Sequence, residues 1–144
     1  MKTRQRIIRV SDIMKTAFVT IDRTATIADA LLSMKREKTA VLVVNPRDDN
    51  DEYGLITAGD IARDVMALDR APERVNVYEI MTKPVISIHP RMDIRYCARL
   101  FARYKLVRAP VIEDRKVIGM VSPAGLVLDG LCALALNQEL PVNQ

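Results

Sequence analysis

Apolar residues in the first third of the chain are spaced as on one face of a helix. They occupy positions i, i+3, i+4 and i+7, namely Ile27, Ala30, Leu31 and Met34. This spacing predicts an amphipathic helix with one buried face. Thr26 and Asp29 have the spacing of a capping box, so the helix should begin directly after Thr26.

Apolar runs on both sides of this helix predict strands. Residues 18–21 form a short β-rich run before it, and residues 40–44 form a continuous apolar run after it, which is typical of a strand covered on both faces. A turn rich in Asp and Asn, residues 45–51, leads to a third strand predicted over residues 53–57. A second helix follows, predicted over about residues 61–68.

The whole pattern occurs a second time. Asp12-Ile13-Met14 matches Glu79-Ile80-Met81 at an offset of 67 residues. The same offset carries the apolar helix face onto Ile94, Cys97, Ala98 and Phe101. The first strand matches residues 85–88, the later strands match residues 109–112 and 117–122, and the second helix matches about residues 126–136. An internal repeat of this length predicts two similar structural units.

We therefore predict an α/β (α+β) fold of two β-α-β-β-α repeats, packed sheet to sheet with pseudo-twofold symmetry. The first repeat covers about residues 10–68, the linker 69–76, the second repeat 77–136 and the tail 137–144, so that residues 1–144 form one module. In each repeat the β-α-β portion should be a right-handed crossover between parallel strands. One repeat of roughly 60 residues would be marginal alone, so the two should share a core.

Composition agrees with a globular protein. Of 144 residues, 49% are hydrophobic and 28% are charged, which argues against disorder. The net charge of +4 permits an anionic ligand but does not establish nucleic-acid binding. Cys97 and Cys132 lie far apart without metal-ligand spacing, so we expect both to be reduced core residues. Without a long uncharged apolar window, we expect a cytoplasmic protein with no membrane span.

The stretch Gly54-Leu55-Ile56-Thr57-Ala58-Gly59-Asp60 is the first candidate site. It turns an apolar strand into a helix through small residues, and backbone N–H groups at a helix start favour anions such as phosphate. Thr57 and Asp60 add a hydroxyl and a carboxylate. The alternative is purely structural, with Asp60 capping a helix that begins at Ile61.

These motifs together resemble the cystathionine-β-synthase (CBS) domain family, in the tandem arrangement called a Bateman module. The resemblance rests on the two Asp/Glu-Ile-Met starts, on Ala-Pro-Val-Ile at 109–112, and on the 54–60 stretch. It implies a regulatory module without catalysis and without a required cofactor. It also implies an adenine nucleotide (AMP, ADP or ATP) bound in a cleft between the repeats, and an unidentified regulated protein as partner.

The resemblance also implies roles for individual residues. Asp60 would contact ribose hydroxyls and Thr57 phosphate, beside Ile56. The opposite wall of the cleft would come from the second repeat and consist of Val85, Ile86, Ser87, Leu106, Val107, Arg108, Ala109 and Pro110. Arg108 would bind phosphate, although it could equally be an ordinary surface residue. In the second repeat Gly125 stands where the ribose carboxylate is expected, so we predict one strong site per chain.

Other signals are weaker. Asp48, Asn50 and Glu52 lack the turn glycine and closing glutamate of a calcium loop, so a solvated turn is expected. The only histidine, His89, precedes Pro90 and should be a turn residue. We find no nucleophile beside a base and no paired carboxylates, so we predict no enzyme activity.

Arginines recur every four residues at the start of the second repeat. Arg91, Arg95, Arg99 and Arg103 have this spacing, and the last three should form a basic stripe on a solvent face. Solvation alone explains such a stripe, but it could also meet an acidic partner, a membrane headgroup or nucleic acid. Nucleic acid is disfavoured because Tyr96 and Tyr104 are the only aromatic residues available for stacking.

The last predicted helix is too apolar for a one-sided helix. Its apolar positions cover more of the circumference than one core face needs, and they are Leu126, Val127, Leu128, Leu131, Cys132, Leu134 and Leu136. We predict a homodimer through the second helices of the repeats. The alternative is that tail residues 137–144 cover the helix.

Two functions compete with the nucleotide sensor. They are a ligand-free oligomerising adaptor and a nucleic-acid-associated regulator.

Overall fold

The computed structural model describes residues 6–83 and 85–141. Residues 142–144 of the predicted tail therefore lie outside the described part. In chain order the elements are α1 (Val10–Ile13), β1 (Thr20–Ile21), α2 (Ile27–Glu37), β2 (Val41–Val44), β3 (Gly54–Thr57), α3 (Ala58–Ile61), α4 (Val77–Ile80), α5 (Ile94–Tyr104), β4 (Ala109–Glu113), β5 (Lys116–Val121), α6 (Pro123–Gly125) and α7 (Cys132–Ala135). A π-helical segment, Ala62–Met66, continues α3, and another, Leu126–Leu131, joins α6 to α7. A 3₁₀ turn covers Pro72–Arg74.

The chain divides into two units, each with its own aliphatic core. The middle unit consists of residues 18–85, and the terminal unit combines the residues before 18 with those from 86 onward. Ile27, Leu42 and Ile56 are fully buried in the middle unit. Ile8 and Ile88 are fully buried in the core of the terminal unit.

The sheet of the middle unit has the predicted topology. Its order is β1-β2-β3, with β1 parallel and β3 antiparallel to β2, so that Val43 lies between Thr20 and Leu55. Helix α2 forms the crossover between the two parallel strands. This is the predicted β-α-β unit followed by a hairpin.

The first strand of the second repeat is shorter than predicted. The strand expected over residues 85–88 is reduced to one parallel bridge between Ile88 and Val111. Ile88 donates to the Pro110 carbonyl at 2.9 Å and accepts from the Ile112 N–H at 3.0 Å. Pro90 has no N–H with which to extend the ladder. Apart from isolated bridges, the described part of the terminal unit retains one antiparallel pair of strands, β4 with β5.

The long helices are confirmed, but one position of each predicted apolar face is wrong. In α2, Thr26 and Asp29 exchange hydrogen bonds of 3.1 and 3.0 Å, which confirms the capping box. Leu31 of α2 is exposed, and so is its counterpart Ala98 of α5. Both occupy the i+4 position of the apolar pattern. In α2 the inward position is taken instead by Ser33, so the buried arc is rotated relative to the prediction.

The start of each repeat packs in the unit that holds the rest of the other repeat. Val10 of α1 donates to the Met92 carbonyl at 2.8 Å, within the terminal unit. Val77 of α4 donates to the Ala25 carbonyl at 2.8 Å, within the middle unit. The units therefore do not follow the boundaries of the sequence repeats.

Candidate functional site

The turn from β3 into α3 is built as a capping box. The Thr57 hydroxyl accepts from the Asp60 N–H at 3.1 Å, and Asp60 Oδ2 accepts from the Thr57 N–H at 2.9 Å. Thr57 is thus the cap, and Asp60 is the third helical residue. The prediction that Asp60 caps a helix starting at Ile61 is wrong in register, because helical geometry already begins at Ala58.

Asp60 is a buried carboxylate held from two sides. Only 8% of the residue is exposed. Its Oδ1 accepts from the Arg63 guanidinium at 3.1 Å, in addition to the bond between Oδ2 and Thr57. Burial of a charge is costly unless it is hydrogen-bonded, and these two bonds offset that cost. A carboxylate has about four acceptor positions, so Asp60 keeps capacity for further donors.

Arg63 was not among the predicted site residues. It contacts Asp64 at 3.0 Å as well as Asp60, and the carboxylates of Asp64 and Asp60 raise the pKa of its guanidinium. Arg63 in turn lowers the pKa of Asp64. The spacing of three residues between Asp60 and Arg63, which places them side by side on a helix, is the signal that could have found it.

The matching turn of the second repeat has half of this arrangement. The Ser122 hydroxyl accepts from the Gly125 N–H at 3.2 Å. Gly125 has no carboxylate to return a bond to the Ser122 N–H, and Pro123 fills the first helical position. The two turns have similar backbone geometry, but only the first presents a carboxylate acceptor, that of Asp60.

The remaining predicted site residues fall in both units. In the middle unit Ile56 is fully buried in the core and Val85 is half-buried. In the terminal unit the bond between Ile88 and Pro110 joins the segment containing Ile86 and Ser87 to the segment 106–110. Ser87, Val107 and Arg108 are exposed, Ile86 and Leu106 are half-buried, and Ala109 and Pro110 are buried in β4.

Arg108 is available for an anion. Across residues 6–83 and 85–141 no carboxylate forms an ion pair with its guanidinium. The neighbouring Val107 is a large exposed apolar side chain. A free guanidinium matches phosphate geometry, and an adjacent apolar surface suits a purine.

The two weaker loop signals have structural explanations. Asp48 accepts from the Asn50 N–H at 2.9 Å, and Asp51 pairs with Lys83, which holds the pKa of Asp51 well below its usual range. Within the described ranges no cluster of three metal-ligating side chains occurs. His89 accepts from the Arg91 N–H at 3.1 Å through Nδ1, so it is a turn residue.

The basic stripe differs from the prediction at one position. Arg95 is not a solvent-facing member, because it is half-buried and pairs with Asp93 at 3.2 Å. It also donates to the Arg6 carbonyl at 3.2 Å. Arg99 and Arg103 are exposed, as predicted.

The two cysteines are free thiols in different surroundings. Cys97 is fully buried in α5, and burial raises the pKa of its thiol to about 11. Cys132 is half-buried. The expectation of reduced residues agrees with this placement, although only Cys97 is a full core residue.

The family model of the CBS domain matches residues 10–67 and 77–127. The chain therefore belongs to the CBS domain family and contains two CBS domains in tandem. This confirms the resemblance seen in the sequence motifs and the mixed α+β fold of two repeats. No helix in the described part of the chain is long and apolar enough to cross a membrane.

Comparison with individual proteins gives the same family. The solved structure of a hexameric CBS-CP12 protein from bloom-forming cyanobacteria is 37% identical, with a TM-score of 0.84, over 88% of this chain and 70% of that one. An uncharacterized protein of Methanopyrus kandleri is 26% identical over 81% of this chain and 60% of its own. The mitochondrial CBS domain-containing protein CBSX3 of Arabidopsis thaliana is 29% identical over 82% and 62%. The chain thus spans about three fifths of the length of these two relatives.

Proposed function

We propose that this CBS pair is a non-catalytic regulatory module that binds an adenine nucleotide and signals to a partner protein. The observation that supports this most directly is Asp60. A buried carboxylate that is fixed by Thr57 and Arg63, and still has free acceptor positions, is suited to bind two neighbouring hydroxyls of a ribose.

Thr57 and Arg108 are the proposed phosphate contacts. The Thr57 hydroxyl accepts from Asp60, and its own hydrogen remains to be donated to a phosphate oxygen. Arg108 would add a charge-assisted bond, and Val107 an apolar contact for the base. The assignment of Arg108 comes from the family resemblance, and its exposure without an ion-pair partner is compatible with it.

Signalling requires that the nucleotide bind one conformation of the module more tightly than another. The regulated protein would then recognise the favoured conformation. A tight ligand with equal affinity for both conformations would have no effect.

Calorimetry of the full chain against AMP, ADP and ATP tests the proposal. We expect a stoichiometry near one per chain, because only the first turn has a carboxylate. Asp60→Asn keeps an acceptor for the Thr57 N–H but removes the charge, so it should weaken binding by about 1–3 kcal/mol. Asp64→Asn is the matched control, since the half-buried Asp64 contacts the same Arg63 but takes no part in the capping box. Equal affinity of Asp60→Asn and the wild type would refute the site.

Arg108→Gln tests the phosphate contact. It should weaken the binding of ATP and ADP more than the binding of adenosine, because adenosine has no phosphate that could contact Arg108. Lys105→Gln, at an exposed lysine three residues away, controls for net charge. The same loss for adenosine as for ATP would show that Arg108 does not contact phosphate.

A ligand-free oligomerising adaptor is the second candidate. Leu128 and Leu131 of the last helical segments are 66% and 52% exposed, which favours an interface with a second copy. Failure of every adenine nucleotide to raise the melting temperature at millimolar concentration would favour this function over the sensor.

A further inference from the structure

The solvent face of α5 combines exposed tyrosines with exposed arginines. We define the α5 face as Tyr96, Arg99, Arg103 and Tyr104. Tyr96 and Tyr104 are 63% and 52% exposed. The Arg99 guanidinium lies 5.2 Å from the centroid of the Tyr96 ring, and that of Arg103 lies 6.0 Å from the Tyr104 ring.

The positive charge of this face is not neutralised by carboxylates. Among residues 6–83 and 85–141, neither Arg99 nor Arg103 forms an ion pair with Asp or Glu. Asp93, the acidic residue closest to the helix start, is already paired with Arg95. Lys105, directly after the helix, adds a further exposed cation.

The same helix in the other repeat provides an internal comparison. The positions of α2 that match the α5 face at an offset of 67 hold Asp29, Leu32, Arg36 and Glu37. The cation there is paired, since Arg36 contacts Glu37 at 3.3 Å. Helix α2 has the same length and the same place in its unit without tyrosines or free arginines. The α5 face is therefore not required to build the fold.

A third tyrosine shows what a structural pair looks like in this chain. The Arg23 guanidinium lies 5.1 Å from the Tyr78 ring in the middle unit, but Arg23 is half-buried. That pair is a packing contact. The α5 face differs because both the arginines and the tyrosines are open to solvent.

The small number of aromatic residues disfavoured nucleic acid in the sequence, but the structure places both tyrosines in the open beside exposed arginines. We therefore propose that the α5 face binds single-stranded nucleic acid, with phosphates on Arg99 and Arg103 and bases stacked on Tyr96 and Tyr104. Aromatic side chains beside basic groups are the general means of binding single strands without sequence preference. The two arginines are about 6 Å apart along the helix axis and the two tyrosines about 12 Å, which suits a strand of a few nucleotides. An acidic peptide or an anionic membrane would use the arginines but would not need the tyrosines.

Fluorescence anisotropy with labelled oligo-dT and oligo-rU of about 12 nucleotides tests the arginines. Arg99→Gln with Arg103→Gln should lower affinity at least tenfold and reduce the slope of log K against log salt by about 1.4, the value for two phosphate contacts on a single strand. Lys35→Gln with Arg36→Gln removes the same charge from α2 and should have little effect. Equal losses in both pairs, or no binding by the wild type at low salt, would overturn the proposal.

The tyrosines distinguish nucleic acid from other anions. Tyr96→Leu with Tyr104→Leu keeps the charge and should lower oligonucleotide affinity at least about fivefold, whereas Tyr78→Leu should not. Polyglutamate and vesicles containing about one third phosphatidylserine serve as competing anions. The proposal would be overturned if the tyrosine variant bound the oligonucleotide as tightly as the wild type and the wild type bound polyglutamate or the vesicles as tightly as the oligonucleotide. Asp60→Asn should bind oligonucleotides normally, so this test is independent of the adenine-nucleotide proposal.

Discussion

The side chain of Met14 packs directly on Gly119. A Cβ on Gly119 would lie 2.7 Å from the Met14 sulfur and 2.9 Å from the Lys15 carbonyl oxygen. Gly54 has the same relation to Met81, with the sulfur at 2.9 Å. The methionine of each Asp/Glu-Ile-Met motif thus covers the glycine of the opposite repeat's third strand. The methionine motif and the glycine of the third strand therefore form the two sides of a packing contact that occurs once in each unit.

Gly119→Ala should therefore destabilise the protein. The added methyl group meets a backbone oxygen that cannot rotate away, so we expect a loss of about 1–3 kcal/mol in the free energy of unfolding. Urea denaturation measures it. Gly59→Ala is the control, because its Cβ would meet only the Thr57 hydroxyl at 3.6 Å and should be neutral or stabilising. Equal stability of Gly119→Ala and the wild type would show that the chain can yield at this contact.

Gly125→Asp should complete the second capping box. Gly125 has helical backbone angles, φ −64° and ψ −43°, and a Cβ there meets only the Ser122 hydroxyl at 3.6 Å. The new carboxylate can accept from the Ser122 N–H and should raise stability by about 0.5–1.5 kcal/mol. Gly125→Ala separates helix propensity from the capping bond. In calorimetry the Asp variant should also bind a second adenine nucleotide, and a stoichiometry unchanged from the wild type would contradict a general ribose role for this position.

Leu128→Glu with Leu131→Glu should prevent self-association. Leu134 is a poor choice for this test, because it packs against the core of the terminal unit. Leu140 of the tail also packs against that core, yet Leu128 and Leu131 stay exposed, so the described tail residues do not cover them. Light scattering at micromolar concentration should give at least a dimer for the wild type and a monomer for the variant. A dimeric variant would place the interface elsewhere, and Met66→Glu on the first repeat's exposed helical segment would then be the next test.

Cys97 should resist alkylation while Cys132 reacts. Burial keeps the Cys97 thiol protonated, with its pKa raised from 9.0 to about 11, so the folded protein offers little thiolate at pH 8. Because folding raises the pKa of the thiol, the free energy that Cys97 contributes to stability is fully present below pH 9 and is lost as the pH rises toward 11. Mass spectrometry after iodoacetamide treatment identifies the labelled residue. The unfolding free energies of the wild type and Cys97→Ala should converge over that pH range, and a constant difference would contradict the burial effect.

Much of the fold could be predicted because its signals are local. The apolar spacing of α2, the capping box at Thr26 and the alternation of turns with apolar runs depend on residues within a few positions of one another. The exposed position of Leu31 could not be predicted in this way, since the rotation of a helix on its sheet depends on distant partners. The same limit applied to Arg95, which Asp93 and the Arg6 carbonyl hold at the helix start.

The sequence by itself determined the family, the two repeats, and the inequality between Asp60 and Gly125, because these depend only on residue types and their spacing. Only the tertiary structure showed that each Asp/Glu-Ile-Met segment packs with the other repeat, and that Met14 and Met81 therefore cover Gly119 and Gly54. It alone showed that Asp60 is buried and that the tyrosines and arginines of the α5 face stay open to solvent. The physical reason is that burial and ion pairing are set by chain segments brought together through long-range packing, and no local pattern encodes which segments meet.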